Sequence, residues 1–304
     1  MVQMAGGEAM PRPENKLRLD NVTLCIADCL NPHLAARALE KSMQQCDFNS
    51  ALFFTHEEIA INPGASLVKI GRMDNRQAYN QFILKDLAAH ISTDFALLIQ
   101  WDGYILDSQF WRSEFMDYDY IGARWHWHPE GKRVGNGGFS LRSRRLLNAT
   151  SSSDFPVRDN VAEDAQICIV YHDFLVQTFN IRFAPESIAA QFSYERDLPN
   201  APTFGFHGLF NMWRHCGGQE MLELIEGLDQ RNLESREFLE LLLTFARLRT
   251  FQPLFEGYRR IRQKISRDEL MAKIAAMTND PKKAAAISTL CEEYAFWPHS
   301  SAAN

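Results

Sequence analysis

Basic charge is scarce in this chain: 32 lysines and arginines stand against 38 aspartates and glutamates, for a formal charge of −6. Proteins that grip nucleic acid neutralise phosphates with clustered Lys and Arg, so nucleic acid is not an expected partner. No run of about 18 apolar residues occurs, which argues against a membrane span. The opening "MVQMAGGEAMPRPENK" has no apolar core of signal-peptide length and reads as a flexible polar tail, residues 1–17. Six cysteines (Cys25, Cys29, Cys46, Cys168, Cys216, Cys291) form no C-x-x-C pair. Without an export signal, reduced thiols in a cytoplasmic protein are the expectation. A Cys25–Cys29 metal pair is disfavoured against buried structural thiols. What is present, 46% hydrophobic and 23% charged residues over 304 positions, suits a soluble globular chain of one large or two smaller domains.

Hydrophobic periodicity supplies the architecture. "NVTLCIADCL" reads as a buried strand, and Asn31-Pro32 then opens "HLAARALEKSMQQC", which has helical spacing. "SALFFTH" is a second strand. "DNRQAYNQFILKDLAAHI" is a second helix, capped by Asp74 or Asn75, and "DFALLIQWDGYIL" is a third strand. Strands alternating with helices predict a parallel α/β sheet. Further on, "SLRSRRLL" enters a helix, "EDAQICIVYHDFLVQTF" reads as one amphipathic helix, and "IRFAPESIAAQFS" as a short strand and turn. From Gly218 the composition turns helical, rich in Leu, Glu, Arg and Ala, which suggests about four helices. The expected domains are therefore 18–217 and a helical region, 218–304.

In open parallel sheets ligands gather beyond the carboxyl ends of the strands. Asp102 stands at such an end, before Gly103, where a carboxylate can hold a hard divalent cation or simply make an Asp-Gly turn. "VGNGGFS" places Gly135, Gly137 and Gly138 around Asn136 and before Phe139, which suits close approach of a ligand or a tight turn. Glu163 and Asp164 open a helix, where acids serve the helix dipole or a general base. His207 lies in "FGFHGLFN" and is a core histidine or, with a strand-end Asp, half of a metal site. Trp125 and Trp127 offer indole faces to sugar rings or to the core. The neighbouring His126 and His128 are too few to hold zinc.

Taken in order, "IQWDG", "DYDYIGA", "VGNGGFSLRS", "EDAQIC" and "FGFHG" resemble an uncharacterised glycosyltransferase-like domain family. That resemblance runs from about Leu19 to Trp213, and the same motifs are similar to the galactosyltransferase branch of the GT-A glycosyltransferases. The resemblance implies a GT-A-like, Rossmann-like α/β fold: a mixed, mainly parallel sheet flanked by helices, here with a C-terminal α-helical extension. It implies that Asp102 is the second acid of a metal-binding D-x-D, with Gln100 in place of the first, and that His207 is a late metal ligand. Gly137 and Gly138 match a Gly-Gly turn against donor and acceptor, with Asn136 and Phe139 beside it and Trp125 and Trp127 on the substrate side. Glu163 and Asp164 match an E-D pair preceded here by Ala162 rather than glycine; Asp164 would be the base and Glu163 an acceptor partner. Asn75-Arg76 resembles a pair that meets the nucleotide, and Asp28 and Asn31 sit where such folds receive the nucleoside.

The implied activity is an inverting, metal-dependent hexosyl transfer using Mn²⁺ or Mg²⁺. The donor would be a nucleotide sugar, with a UDP-sugar the expectation, and the acceptor a glycan or another hydroxyl compound. Inversion follows from one base with no second carboxylate placed as nucleophile, and the glycines would clear room for the bound sugar. A non-catalytic nucleotide- or sugar-binding module is the alternative that Gln100 favours, and a metal-dependent phosphohydrolase a third. The C-terminal helices could serve self-association or merely cap the domain.

Overall fold

The β-branched, apolar run that opens the described residues forms the centre of a sheet, and the rest of the first half is laid down beside it. The computed structural model describes residues 16–295. Residues 1–15 of the expected tail lie outside the described residues, and Leu17 already belongs to the first strand. β1 (Leu17–Ala27) is followed by α1 (Pro32–Gln45), β2 (Cys46–Thr55) and β3 (Ser66–Lys69). Next come α2 (Arg76–Gln81), continued by a π turn over Phe82–Asp86, and β4 (Phe95–Ile99). Pro32 starts α1 where a missing N–H costs nothing, and the Asn75 side chain caps α2 by accepting from the Ala78 N–H at 2.9 Å.

β5 (Tyr120–Ile121), β6 (Ala123–Arg124), β7 (Val134–Gly135) and β8 (Phe139–Ser143) complete the middle of the chain. The main sheet has the order β3-β2-β1-β4-β8-β5. β1 through β4 pair in parallel, whereas β8 runs antiparallel to β4 and to β5. This is the expected mixed, mainly parallel α/β sheet. The antiparallel β8 matters for function, because Phe139 pairs with Ile99. The residues leading into β8 therefore lie at the same edge as the carboxyl ends of β1 and β4.

α3 (Arg144–Ser151) follows β8 directly, capped by Ser143. The long helix expected over "EDAQICIVYHDFLVQTF" is instead α4 (Glu163–Ala165), a π turn (Gln166–Val170) and α5 (His172–Phe179). The break falls at Tyr171, whose backbone leaves the helical region at φ −108°, ψ 12°. The expected strand and turn before Ser193 is a helix, α6 (Glu186–Phe192), started by extended Pro185. The proline pre-sets the entry and removes only an N–H that would go unused. β9 (Ser193–Tyr194) and β10 (Gly205–Phe206) join β6 and β7 in a small second sheet, ordered β10-β9-β6-β7.

From Gly218 the chain is helical: α7 (Gly218–Gly227), α8 (Gln230–Leu233), α9 (Arg236–Leu248), α10 (Phe251–Arg262), α11 (Arg267–Thr278) and α12 (Pro281–Ala295). These are six segments among the described residues rather than about four, because short loops at Asp229, Ser235 and Thr250 divide the expected helices. One apolar cluster runs without interruption from Leu19 and Leu97 through Phe206 to Phe238, Leu254 and Leu270. The helical region thus shares its core with the sheet. Among the described residues no helix is long and apolar enough to cross a membrane.

Candidate functional site

Three strand ends, two from the main sheet and one from the second, lead into the same region, and each carries polar residues out of its ladder. β1 ends at Ala27 and delivers Asp28. β4 ends at Ile99; Gln100 still donates its N–H to the Gly138 carbonyl at 2.9 Å, and a turn then carries Asp102 away. β10 ends at Phe206 and delivers His207, whose neighbour Gly208 donates to the Asp102 carbonyl at 3.0 Å. Two adjoining cavities open there. One, of about 310 Å³, is lined by Asp28, Asn31, Arg76 and Tyr79 among others. The second, of about 360 Å³, is lined by Asp102, Asn136, Gly137, Gly138, Asp164 and His207 among others. Arg76, Tyr79, Gln100, Trp101 and Asn232 line both, so they form one continuous crevice.

At the second cavity's centre is a histidine between carboxylates. His207 Nε2 lies 3.2 Å from Asp102 Oδ1 and 3.2 Å from Gln100 Oε1. Its Nδ1 lies 3.5 Å from Glu195 Oε1. Burial alone would lower the pKa of this ring, but the charges of Asp102 and Glu195 hold it well above the ordinary histidine value. Asp102 Oδ2 accepts from the Leu209 N–H at 3.0 Å, which fixes the carboxylate. The Gln100 amide nitrogen donates to the Tyr79 hydroxyl at 2.9 Å and so turns its carbonyl oxygen toward His207.

Asp164 Oδ2 accepts the Gly137 N–H at 2.8 Å and Oδ1 its neighbour Ala165 N–H at 2.7 Å. Each oxygen keeps a second lone pair for a proton. Asn136 sits in the left-handed region at φ 72°, which asparagine tolerates. Its Oδ1 accepts from Gly138 N–H at 3.0 Å, and its buried Nδ2 has no partner among the described residues.

Several expected roles change. Glu163 faces the crevice but is ion-paired with buried Arg142 by two contacts of 2.9 Å, so it is not free to receive an acceptor. Burial raises its carboxyl pKa, although Arg142 pulls against the shift. The glycines clear room for protein rather than sugar. A Cβ on Gly137 would lie 1.9 Å from Glu163 Oε1, and one on Gly138 would lie 2.1 Å from His207 Nε2. Phe139 is a core residue, packed against Phe192 and Phe204 at centroid distances of 5.2 and 6.0 Å, because the first position of β8 points away from the edge. Trp125 is buried, with its indole N–H 3.3 Å from Glu195 Oε2. Trp127 is 49% exposed and lines neither cavity. Asn31 lines the first cavity, yet its amide is engaged by the helical region: Oδ1 accepts from Asp229 N–H at 2.7 Å and Nδ2 donates to Asn232 at 2.9 Å.

Asp28 Oδ1 accepts from the N–H groups of Leu30 and Asn31 at 2.6 and 2.5 Å. Burial, helped by the charge of Asp102, pushes its carboxyl up to about 6 despite those bonds. Tyr79, Glu195, Asn232 and Glu237 carry no motif that marks them, yet all four line the crevice. Five carboxylates, those of Asp102, Glu163, Asp164, Glu195 and Glu237, face its second cavity against the cations Arg76 and His207. Burial and the Asp102 charge raise the Glu237 carboxyl above its usual range. No group of three or more His, Cys, Asp or Glu side chains forms a ready-made metal cluster among the described residues.

A family model described as "Protein of unknown function (DUF5672)" matches residues 65–207. No curated protein matches the chain in sequence. Among solved structures, it is similar to the galactosyltransferase LgtC in complex with donor and acceptor sugar analogues, at 13% identity and a TM-score of 0.40, over 66% of this chain and 89% of that one. The mannosyltransferase PcManGT from Pyrobaculum calidifontis, in complex with GDP-Man and Mn²⁺, is 10% identical with a TM-score of 0.37, over 94% and 87% of the two chains. The apo-form glycosyltransferase GlyE of Streptococcus pneumoniae TIGR4 is 11% identical with a TM-score of 0.37, over 64% and 54%.

Proposed function

We propose that this chain is a glycosyltransferase that moves a sugar from a nucleoside-diphosphate donor to an acceptor hydroxyl. The observation that carries the reading is the convergence of Asp102, His207 and Asp164, from three separate elements, on one cavity that adjoins a second of nucleotide size. The motif resemblance assigns the same three residues. The first cavity, with Asp28 and Arg76, would take the nucleotide, and the second the sugar and the acceptor.

The donor set fits a divalent cation. The Asp102 and Gln100 oxygens each lie 3.2 Å from His207 Nε2, close to the roughly 3 Å between neighbouring ligands of an octahedral ion with bonds near 2.1 Å. The carboxylate on the ring's other nitrogen is the usual support of a ligating histidine. Asp102, His207 and the Gln100 carbonyl oxygen would hold Mn²⁺ or Mg²⁺, whose chemistry is to offset charge on the departing diphosphate. As a ligand, His207 would have to be free of its Nε2 proton.

Asp164 is the base in this reading. Among the carboxylates of the second cavity it is the one held by backbone N–H groups alone, whereas Glu163 is paired with Arg142, Glu195 with His207 and Trp125, and Glu237 with Arg196. Asp164 would accept the acceptor proton as the hydroxyl attacks the anomeric carbon. Other carboxylates do face the cavity, so inversion cannot be argued from their absence; it follows here from their engagement by other groups.

The test is product formation from UDP- and GDP-sugars with Mn²⁺ over a panel of acceptors. Asp164→Asn should lower turnover about 10²- to 10⁴-fold while donor affinity holds. Full turnover in that variant would remove Asp164 as the base. Donor binding without any product would favour a binding module, the reading that Gln100 in place of an acid supports.

A further inference from the structure

The helical region does more than cover the sheet. α8 is docked directly against the end of β1 by Asn31, which accepts from Asp229 N–H at 2.7 Å and donates to Asn232 at 2.9 Å. Asn31 lies three residues after Asp28 and is almost wholly buried, so the sheet's own functional edge sets the position of α8. Two consecutive α8 residues, Arg231 and Asn232, consequently line the first cavity. Asn232 also reaches the second cavity, where Glu237 from α9 joins it.

Arg231 spans the cavity mouth. Its Nη1 donates to the Asp74 carbonyl, and its Nε lies 3.4 Å from Asp229 Oδ1. Its Nη2 makes no hydrogen bond among the described residues, and the side chain is half exposed. Asp74 stands two residues before Arg76, which lines the same cavity from α2. Two arginines from distant parts of the chain thus line one cavity of about 310 Å³. Paired guanidinium groups suit phosphate oxygens, which they can meet with parallel N–H bonds at fixed geometry.

We infer that the C-terminal helical region completes the donor cavity, and that Arg231 is a binding residue for the diphosphate of a nucleoside diphosphate, facing Arg76. The inference rests on the donor reading above and adds to it a residue outside the α/β domain. It makes the helical region part of the binding site, so the α/β domain alone has an incomplete mouth.

Calorimetric titration with UDP and with GDP, in Mn²⁺, tests it on the full chain. Arg231→Ala should weaken the diphosphate that the wild type binds by about 10- to 100-fold, the range for a hydrogen bond to a charged group. Arg231→Lys, which keeps the charge but loses the planar fork, should recover only part of the loss, and both variants should melt with the wild type. Unchanged affinity in Arg231→Ala overturns the inference while leaving the donor reading intact. Loss accompanied by a lowered melting temperature also overturns it, because the side chain would then be acting as structure. A wild type that binds neither diphosphate fails the donor reading itself.

Discussion

The α/β half and the helical half bury very different things. Between β1 and β10 the interior holds Arg142, Glu163, Asp102, Asp119 and Asn136, and most of this buried polarity gathers around one sheet edge. From Gly218 onward the buried side chains are Leu, Ile, Phe, Met and similar residues, with Ser288 the one buried polar residue among those described. Buried charge is costly unless paired, and here it is paired: Arg142 with Glu163, Asp119 with Arg145, and Asp102 with His207. The helical half follows ordinary amphipathic rules and contributes apolar core. The lesson is that function and stability are largely separated along the chain and joined at α8 and α9, where Asn232 and Glu237 enter the crevice.

That separation can be broken from either side. The largest effect on stability belongs to the helical half. Leu270 is fully buried there, and Leu270→Ala should cost about 2–5 kcal/mol of stability, measured by denaturant unfolding. Nucleotide affinity of the folded fraction should stay at the wild-type value. A large loss of affinity would show that the helical core and the site are coupled more tightly than the packing implies.

Gly138→Ala attacks from the other side. The added methyl would sit 2.1 Å from His207 Nε2 and 2.4 Å from its Cδ2, so the buried ring has to shift. Stability should fall by about 1–3 kcal/mol through overpacking. Turnover should fall far more than that, because the imidazole must leave Asp102. Normal turnover would contradict the placement of His207 at the reacting centre.

The smallest effect sharpens the electrostatic side of the comparison. Asp28 is pushed up to about 6 in the folded chain from an ordinary value of 3.8. A carboxylate raised in the folded state favours folding at low pH, and that contribution is lost as pH rises from about 4 through 6. Asp28→Asn should therefore be more stable than the wild type by about 1–2 kcal/mol at pH 7, discounted for its partial exposure, and equal to it near pH 3.5. Thermal melts across that range check the sign. A gain that grows toward low pH would reverse it.

Much of the first half was legible because strands and helices alternate with clean periodicity, and a strand-end rule singles out Asp102, whereas Asp28 and His207 take their roles from the motif resemblance. Asn136 and Asp164 followed from the motifs. The rest was hidden for a physical reason: it depends on pairings between distant positions. Asn31 and Asn232, 201 positions apart, meet only because the helical region folds back on the sheet. Glu195 carries no motif, yet it supports His207 on one side and Trp125 on the other. Phe139 and Trp125 looked like ligand contacts in a glycine-rich, aromatic stretch. Strand alternation turned the first inward, and a hydrogen bond to Glu195 holds the second in the wall. The glycines were right in kind and wrong in object, since the groups that need the space are Glu163 and His207.

The central claim is that the sheet-edge crevice binds a nucleoside diphosphate through residues that include Asp102 and His207. Its most direct test is equilibrium binding of UDP and GDP to the wild type and to Asp102→Asn, with and without Mn²⁺. The expected result is saturable binding of one diphosphate that Mn²⁺ strengthens in the wild type, with the metal's contribution lost in Asp102→Asn. No binding of either diphosphate under any of these conditions would contradict it.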